Sequence, residues 1–465
     1  MDNVNAGRLH FIGVGGVGMS GIARVAHDQG LIVTGSDIKA SRYTKQLKEA
    51  GVTVAIGQCA ENIPEGNPTV VVSTAILENN PELIEAKRRG LRIIHRAQML
   101  AYLGLSLSTL AVAGTHGKTT TSSMLASTLD AMGLDPTFLI GGIVRSWGTN
   151  AHSGTGEYYV VEADESDKSF TYLSPPAVIV TKIEADHLDH YENLDEIYDH
   201  FKMFMESVPE TGSVVVCADD AALVSLARQT GRSVVTYGFA EDADVRIVSA
   251  RSRGVGSVFS VRLPDGRVLE SAIKQNPGMH NVSNGAAVLA LVDALGLDVC
   301  LAAEKLAEFS GVRRRFDLVG ECAGVTVVDD YAHHPTEIAA TIKAAKELDF
   351  KRVHVLFQPH RYSRVSLFTE VLKDSFGSAF DLADTVTFMD VYSAGETPVP
   401  GVNGKTFLNV VLEHAGHPRA EYVPRRIDVV PHMAGLVEPG DLVLTLGAGD
   451  VTAIGPQLVD ELGCR

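Results

Sequence analysis

Short apolar runs ending in glycine or an acid recur along the chain, separated by segments whose apolar residues repeat at helical spacing. In the first block, Leu9 to Val14, Ile32 to Gly35, Val52 to Ile56, Val70 to Val72 and Arg92 to Ile94 read as strands. Val17 to Gln29 and Pro81 to Arg89 read as helices, and helical patterns fill most other gaps. A second block offers strands at Thr109 to Ala113, Tyr158 to Val161, Val178 to Thr181, Ser213 to Cys217 and Ser233 to Tyr237. Between Val245 and Ile273 the pattern changes to short alternating strands around a Pro264-Asp265-Gly266 turn, which predicts a small antiparallel insertion. A third block has strands at Val325 to Val328, Val353 to Phe357, Thr385 to Met389 and Leu442 to Leu446, with long helical patterns after Pro335 and Val365. Strand–helix alternation of this kind predicts mostly parallel sheets covered by helices. The fold class is therefore α/β, in three domains divided at residues 1–106, 107–312 and 313–465.

Length agrees with that division, since 465 residues exceed a single typical core. A content of 45% hydrophobic and 21% charged residues is that of a globular chain able to bury large cores. The net charge of -17 argues against nucleic acid as a partner and against adhesion to anionic membranes. Cys59, Cys217, Cys300, Cys322 and Cys464 form an odd set without a CxxC pair, which suits reduced thiols in a cytoplasm. No apolar run approaches the ~20 residues that span a bilayer, and the first ten residues do not read as a signal peptide. A cytoplasmic location is expected, with no membrane insertion.

Two glycine-rich turns carry the chemistry. Gly13, Gly15, Gly16 and Gly18 fit GxGxxG between a strand and a helix, where backbone amides can approach a diphosphate. Asp37 closes the next strand, where an acid can hold a ribose hydroxyl. This pattern alone fits a nicotinamide or flavin enzyme as readily as any other diphosphate binder, or a structural strand–helix turn. The second turn is Gly114-Thr115-His116-Gly117-Lys118-Thr119-Thr120, again between strand and helix. Its amides can surround phosphates, Lys118 adds a positive charge, and Thr119 can ligate Mg²⁺. Val112 stands where the strict phosphate-loop pattern has its first glycine, so this is a shorter loop; it predicts an ATP site. The strand Tyr158 to Val161 then runs into Glu162, followed by Asp164, Glu165 and Asp167. Glu162, nearest the strand end, is the expected magnesium carboxylate. A second polar cluster, Glu184-Ala-Asp186-His187-Leu-Asp189-His190, follows the strand Val178 to Thr181 and adds His187 to the expected site.

Taken together and in order, these segments resemble the Mur ligases of peptidoglycan synthesis. The resemblance covers nearly the whole chain: HFIGVGGVGMSGIA (His10 to Ala23), VSTAI (Val72 to Ile76), AGTHGKTTT (Ala113 to Thr121), EADESD (Glu162 to Asp167), EADHLDHY (Glu184 to Tyr191), HNVSNGAA (His280 to Ala287), RRFD (Arg314 to Asp317), DDYAHHPTE (Asp329 to Glu337), FQPHRYSR (Phe357 to Arg364), DVYSAGE (Asp390 to Glu396) and GAGD (Gly447 to Asp450). GTHGKT is shared across the family, whereas the first segment, DDYAHHPTE, FQPHRYSR and DVYSAGE resemble its alanine-adding members. The resemblance implies a Rossmann-like N-terminal domain for a UDP-sugar, a central P-loop ATPase-like domain for ATP, and a Rossmann-like C-terminal domain for the amino acid. The glycine loop then serves UDP rather than a hydride carrier. The implied reaction joins L-alanine to UDP-N-acetylmuramate using ATP and Mg²⁺, in a monomer or homodimer.

By that resemblance, Gly13, Gly15, Gly16, Gly18, Asp37, Ser73, Arg96 and His116 would contact the UDP-sugar. The loop Gly114 to Thr120, with Asn281, Arg315 and Asp330, would contact ATP. Thr119, Glu162 and His187 would hold magnesium, joined by Lys202 if its amine is carbamylated; a plain helical lysine is the rival reading. Tyr331, His333, Arg361 and Arg364 would meet the amino acid, two arginines suiting a carboxylate through bidentate forks. Lys118, His187, His333 and Arg361 are the expected catalytic set. The nearest rival is a ligase attaching a recycled tripeptide to the same UDP-sugar; a rival from another class is an oxidoreductase resting on the glycine loop alone.

Overall fold

The structure, a computed structural model, describes residues 7–166, 168–184, 191 and 193–463. It is α/β throughout, with three sheets. The chain divides into two compact units, one made of Met1–Ser249, Ser260–Ser271 and Ser283–Phe309, the other of Ala250–Phe259, Ala272–Val282 and Ser310–Arg465.

The first sheet has five parallel strands in the order Thr53–Ile56, Ile32–Asp37, Arg8–Ile12, Thr69–Val72, Ile93–His95. Strand order reverses beside Arg8–Ile12, and the glycine loop emerges there, at the carboxyl edge where open α/β sheets bind ligands. The first helix, Val17–Asp28, buries Ile22, Ala23, Val25 and Ala26. It also packs on the strands Thr137–Val144 and Thr149–His152. A Cβ on Gly21 would meet Leu139 at 2.9 Å, and Asn150 donates to the Val17 carbonyl at 3.1 Å. One apolar core therefore runs from Phe11 and Val71 to Val161 and Phe201 within the first unit.

The second sheet has ten strands, and the buried Ser108–Ala113 lies between Ala177–Val180 and Tyr158–Glu162, parallel to both. Burial on both faces explains the unbroken apolar runs Leu110 to Ala113 and Ala177 to Val180. The strands Val245–Arg253, Gly256–Arg262 and Val268–Ile273, where a small insertion is expected, extend this same sheet at its edge.

The third sheet runs Asp317–Cys322, Val325–Asp330, Leu442–Leu446, Val353–Phe357, Thr385–Phe388, Arg419–Tyr422, parallel except for the first pair. Its two faces carry separate cores, one around Phe357, Phe376 and Phe380, the other around Leu356, Val443 and Leu458. The helical pattern after Val365 does not form one helix. A 3-10 turn at Tyr362–Arg364 and a π turn at Leu367–Val371 precede the short helix Lys373–Ser378. The π turn brings the buried Phe368 and Phe376 into parallel contact, ring centroids 5.0 Å apart, a closeness two helical turns of regular α geometry would not give.

Each outer sheet also buries one histidine in the same manner. His10 meets Thr34 at 2.9 Å and Glu82 at 3.0 Å; His354 meets Thr385 at 2.8 Å and Asp441 at 3.0 Å. Both ring nitrogens are thereby satisfied, the usual condition for a polar group out of water.

Candidate active site

In the glycine loop, Gly15 donates its amide to Asp37 Oδ2 at 2.8 Å, and a Cβ there would lie 2.7 Å from the same oxygen. Only glycine allows that approach. The other Asp37 oxygen accepts from the Lys39 amide at 3.2 Å, so the expected ribose ligand also braces the loop. Ser73 stands half-buried just past the strand Thr69–Val72. Arg96, at the start of the helix Arg96–Leu103, reaches Asp164 at 3.0 Å and lies 3.9 Å from a Cβ position on Gly18. It links the glycine-loop side of the first unit to the strand end that carries Glu162.

The phosphate loop follows Ser108–Ala113 and opens the helix Lys118–Ala131. Gly114 has φ of +128° and a Cβ on it would collide with Thr181, which fixes glycine at that corner. Thr115, Thr119 and Thr120 are buried. The Lys118 ammonium bonds the Gly114 carbonyl at 2.6 Å and Glu165 at 2.7 Å. Burial alone would lower the pKa of Lys118, but Glu165, Asp164 and Glu162 outweigh it and keep the ammonium charged. Burial pushes the Glu165 carboxyl up to about 7 against the pull of Lys118. Burial likewise opposes ionisation of Asp164, but Lys118 and Arg96 hold that carboxyl at about 2.

Thr119 donates its hydroxyl to Glu162 at 3.0 Å, and the Gly141 amide donates to the other Glu162 oxygen at 2.7 Å. A hydroxyl and a carboxylate beside the phosphate loop form a hard oxygen pair, the donor type magnesium takes. His187 lies outside the described residues, as do Asp186, Asp189 and His190. Lys202 is half-buried on the helix Leu194–Glu206 and makes no hydrogen bond or ion pair among the described residues. His116 Nε2 faces the Glu184 carboxylate, which accepts from the ring at 3.0 Å.

Within the second unit, the carboxyl ends of three neighbouring strands converge. From Val325–Asp330 come Asp330, Tyr331 and His333; from Val353–Phe357 come Arg361 and Arg364; from Leu442–Leu446 comes the Gly447 turn. Asp330 accepts the amides of Phe316 and Ala332, each at 2.7 Å, and burial pushes its carboxyl up to about 6 although Arg315 opposes this. Arg314 and Arg315 both lie over the Tyr331 ring, at 4.9 Å and 5.3 Å, and Arg315 also approaches Glu337 at 3.7 Å. His333 stands edge-on to Tyr331, and Asn281 bonds His280 and the Pro277 carbonyl, each at 3.0 Å.

Arg361 adopts φ of +68°, a conformation costly for a residue with a Cβ, and its amide is held by the Tyr392 carbonyl at 2.8 Å. Its Nε and the Nη1 of Arg364 are shielded from water and have no hydrogen-bond partner among the described residues. Buried guanidinium donors left unspent are the natural complement of a carboxylate or phosphate oxygen. His360, next to Arg361 in the chain, is stacked on Tyr392 at 5.7 Å; burial and the two arginines press its pKa down to about 4.

Motif reading named the loops, Glu162 and the two arginines, and assigned no role to Glu165, Gly141, Glu184, Arg314 or His360, which the structure sets beside them. His360 directly precedes Arg361 in the segment Phe357 to Arg364, and that adjacency was the available signal. Nothing in local sequence marked Gly141, whose contribution is a backbone amide.

Comparison with known proteins adds three family matches in order: "Mur ligase family, catalytic domain" over residues 8–106, "Mur ligase middle domain" over 112–292, and "Mur ligase, glutamate ligase domain" over 314–449. The UDP-N-acetylmuramate–L-alanine ligase of Thermobifida fusca is 46% identical, covering 98% of this chain and 97% of its own. That of Agrobacterium fabrum is 44% identical with the same coverage of both chains. Among solved structures, a UDP-N-acetylmuramate-alanine ligase from Thermotoga maritima matches with a TM-score of 0.80 at 30% identity over 98% of each chain. A murein peptide ligase from Psychrobacter arcticus matches with a TM-score of 0.71 at 26% identity, over 98% of this chain and 99% of its own.

Proposed function

We propose, from the premise that this chain belongs to the Mur ligase family, that it joins L-alanine to the lactoyl carboxylate of UDP-N-acetylmuramate in building the peptidoglycan peptide. The observation that carries this reading is likeness to the alanine ligases from end to end, including the part holding the unspent arginine donors. No helix among the described residues is long and apolar enough to cross a membrane, consistent with a cytoplasmic enzyme acting on a water-soluble nucleotide sugar.

The reaction has two steps. A carboxylate oxygen attacks the γ-phosphorus of ATP and ADP leaves, giving an acyl phosphate. The alanine amine then attacks the acyl carbon, phosphate leaves, and the amine loses a proton. Residues 1–106 hold the UDP-sugar through the glycine loop, Asp37, Ser73 and Arg96. Residues 107–312 hold ATP on the loop Gly114 to Thr120, where Lys118 exchanges Glu165 for phosphate oxygens. Asn281, Arg315 and Asp330, in the second unit, are the further residues assigned to the nucleotide. Residues 313–465 hold the amino acid, with Arg361 and Arg364 on its carboxylate and Tyr331 and His333 beside the amine. Thr119 and Glu162 would hold magnesium, with His187 and a carbamylated Lys202 as further candidates. When bound, the ion neutralises phosphate charge. Catalysis of this kind rests on positioning and electrostatic stabilisation.

The test is phosphate release from ATP with UDP-N-acetylmuramate, Mg²⁺ and a panel of L-alanine, L-serine, glycine and the recycled tripeptide. Release with L-alanine, and a product heavier by one alanyl residue, is expected. Release with the tripeptide alone would move the chain to the recycling branch, and silence with every acceptor would remove the ligase reading.

A further inference from the structure

The phosphate loop is tied along its length to the segment that follows the neighbouring strand Ala177–Val180. The Thr115 amide donates to the Lys182 carbonyl at 2.8 Å, and the Glu184 amide donates to Thr115 Oγ1 at 3.1 Å. The Thr181 hydroxyl reaches the carbonyls of Ala113 and His116. These bonds fix two backbones against each other, and across that frame one side-chain pair closes: His116 Nε2 with Glu184 Oε2 at 3.0 Å. His116 occupies the turn of the loop, two residues before Lys118. Glu184 lies on the opposite rail and also pairs with the Lys182 ammonium.

We propose that Glu184 is a positioning residue for phosphoryl transfer, holding the His116 ring in one orientation and one tautomer at the turn of the phosphate loop. The proposal rests on the ATP reading above. A carboxylate facing one ring nitrogen decides which nitrogen carries the proton and where the other edge of the ring points. Because both partners stand on hydrogen-bonded backbone, the ring cannot follow the carboxylate elsewhere, so the bond sets geometry instead of tracking it. Burial opposes ionisation of Glu184, but hydrogen bonds from His116 and Lys182 outweigh it and hold the carboxyl well below its ordinary range. Glu184 is thus an anion that accepts from the ring. The Lys182 pair is the more exposed one, its side chain 44% accessible against 13% for His116, so water screens it more and it does not fix the ring.

The experiment compares Glu184→Leu, Glu184→Gln and Lys182→Ala in the full chain. Ligand-free protein is read by nitrogen-15 NMR of labelled histidine, with His116 assigned through His116→Gln. Turnover is read with L-alanine as acceptor. Wild type should show His116 protonated at Nε2, and both Glu184 variants should shift that resonance. Removing a residue that orients a site group typically costs about 10–100-fold. Glu184→Leu should accordingly lower kcat by about 100-fold and Glu184→Gln by about tenfold. KM for ATP should stay within about threefold and the melting temperature within a few degrees. Lys182→Ala should keep near-wild-type turnover. If Glu184→Leu does not fold, Glu184→Gln, which keeps the volume, carries the test. An unmoved His116 resonance, a kcat loss that tracks lost stability, or an equal loss in Lys182→Ala would overturn the proposal. If wild type turns over no acceptor, the ATP reading fails, while the NMR comparison still decides whether Glu184 holds His116.

Discussion

The loop that carries Lys118 and the loop that carries Arg361 are both strand-end turns lined with cations, yet they keep those cations in opposite conditions. Lys118 has partners already, the Gly114 carbonyl and Glu165, both within 2.7 Å. Arg361 and Arg364 each keep a water-shielded N–H with no partner among the described residues. On the proposed function, binding at the first loop would be an exchange, in which phosphate displaces a carboxylate from a lysine the protein keeps charged. Binding at the second would be a capture, in which an anion supplies what the protein withholds. An exchange site can close around its own residues when empty. A capture site has to be held open by backbone, and Arg361 at φ of +68° is where that strain is stored.

The largest effect that separates the two is expected from Lys118→Ala. Loss of one electrostatic stabiliser of the transition state costs about 10²–10³ in kcat, and the variant also leaves Glu165 buried without its cation. A turnover assay should show at least that fall, with KM for L-alanine little changed. Arg361→Lys should do the reverse. It keeps the charge but loses the planar fork, and hydrogen bonds to a charged group are worth about 1.5–3 kcal/mol. KM for L-alanine should rise by about 10–100-fold, with KM for ATP within about threefold. If both variants shift the same KM, the contrast between exchange and capture is wrong.

A smaller effect concerns pH. His360 has its folded pKa pressed to about 4, so between about pH 6.5 and 4 the unfolded chain takes up a proton the native chain refuses. Stability should therefore fall as pH is lowered through that window, and His360→Gln should flatten the slope of melting temperature against pH. Identical slopes in the two proteins would place the unfavourable charge elsewhere. The smallest effect is expected at Lys202, which makes no hydrogen bond or ion pair among the described residues. Lys202→Met should stay within about twofold of wild-type kcat unless the amine is carbamylated. Carbon-13 NMR with labelled bicarbonate would show the carbamate directly, and its appearance would reverse this expectation.

The same contrast explains what the sequence could disclose. The phosphate loop was legible because seven consecutive residues after an apolar strand do its work. So was the glycine loop, and so was Glu162 as the first acid beyond a strand. Their partners were not. Glu165 reaches Lys118 across 47 positions, Gly141 lends Glu162 an amide from the strand Thr137–Val144, and Glu184 meets His116 across 68 positions. Such pairings depend on which strands become neighbours, which periodicity does not encode. The strand Asp317–Cys322 was invisible for a different reason: it is a half-exposed edge without an apolar run. The helical spacing after Val365 was misleading because the segment winds as a 3-10 turn and a π turn before the short helix, with Phe368 stacked on Phe376.

The most direct test of the account uses UDP-N-acetylmuramate labelled with oxygen-18 in its lactoyl carboxylate, turned over with ATP, Mg²⁺ and L-alanine. If that carboxylate attacks the γ-phosphorus and is then displaced by the alanine amine, each released phosphate carries one labelled oxygen and each product one alanyl residue. Phosphate free of label, or ATP turnover without an alanyl product, would contradict both the chemistry and the acceptor assigned to this chain.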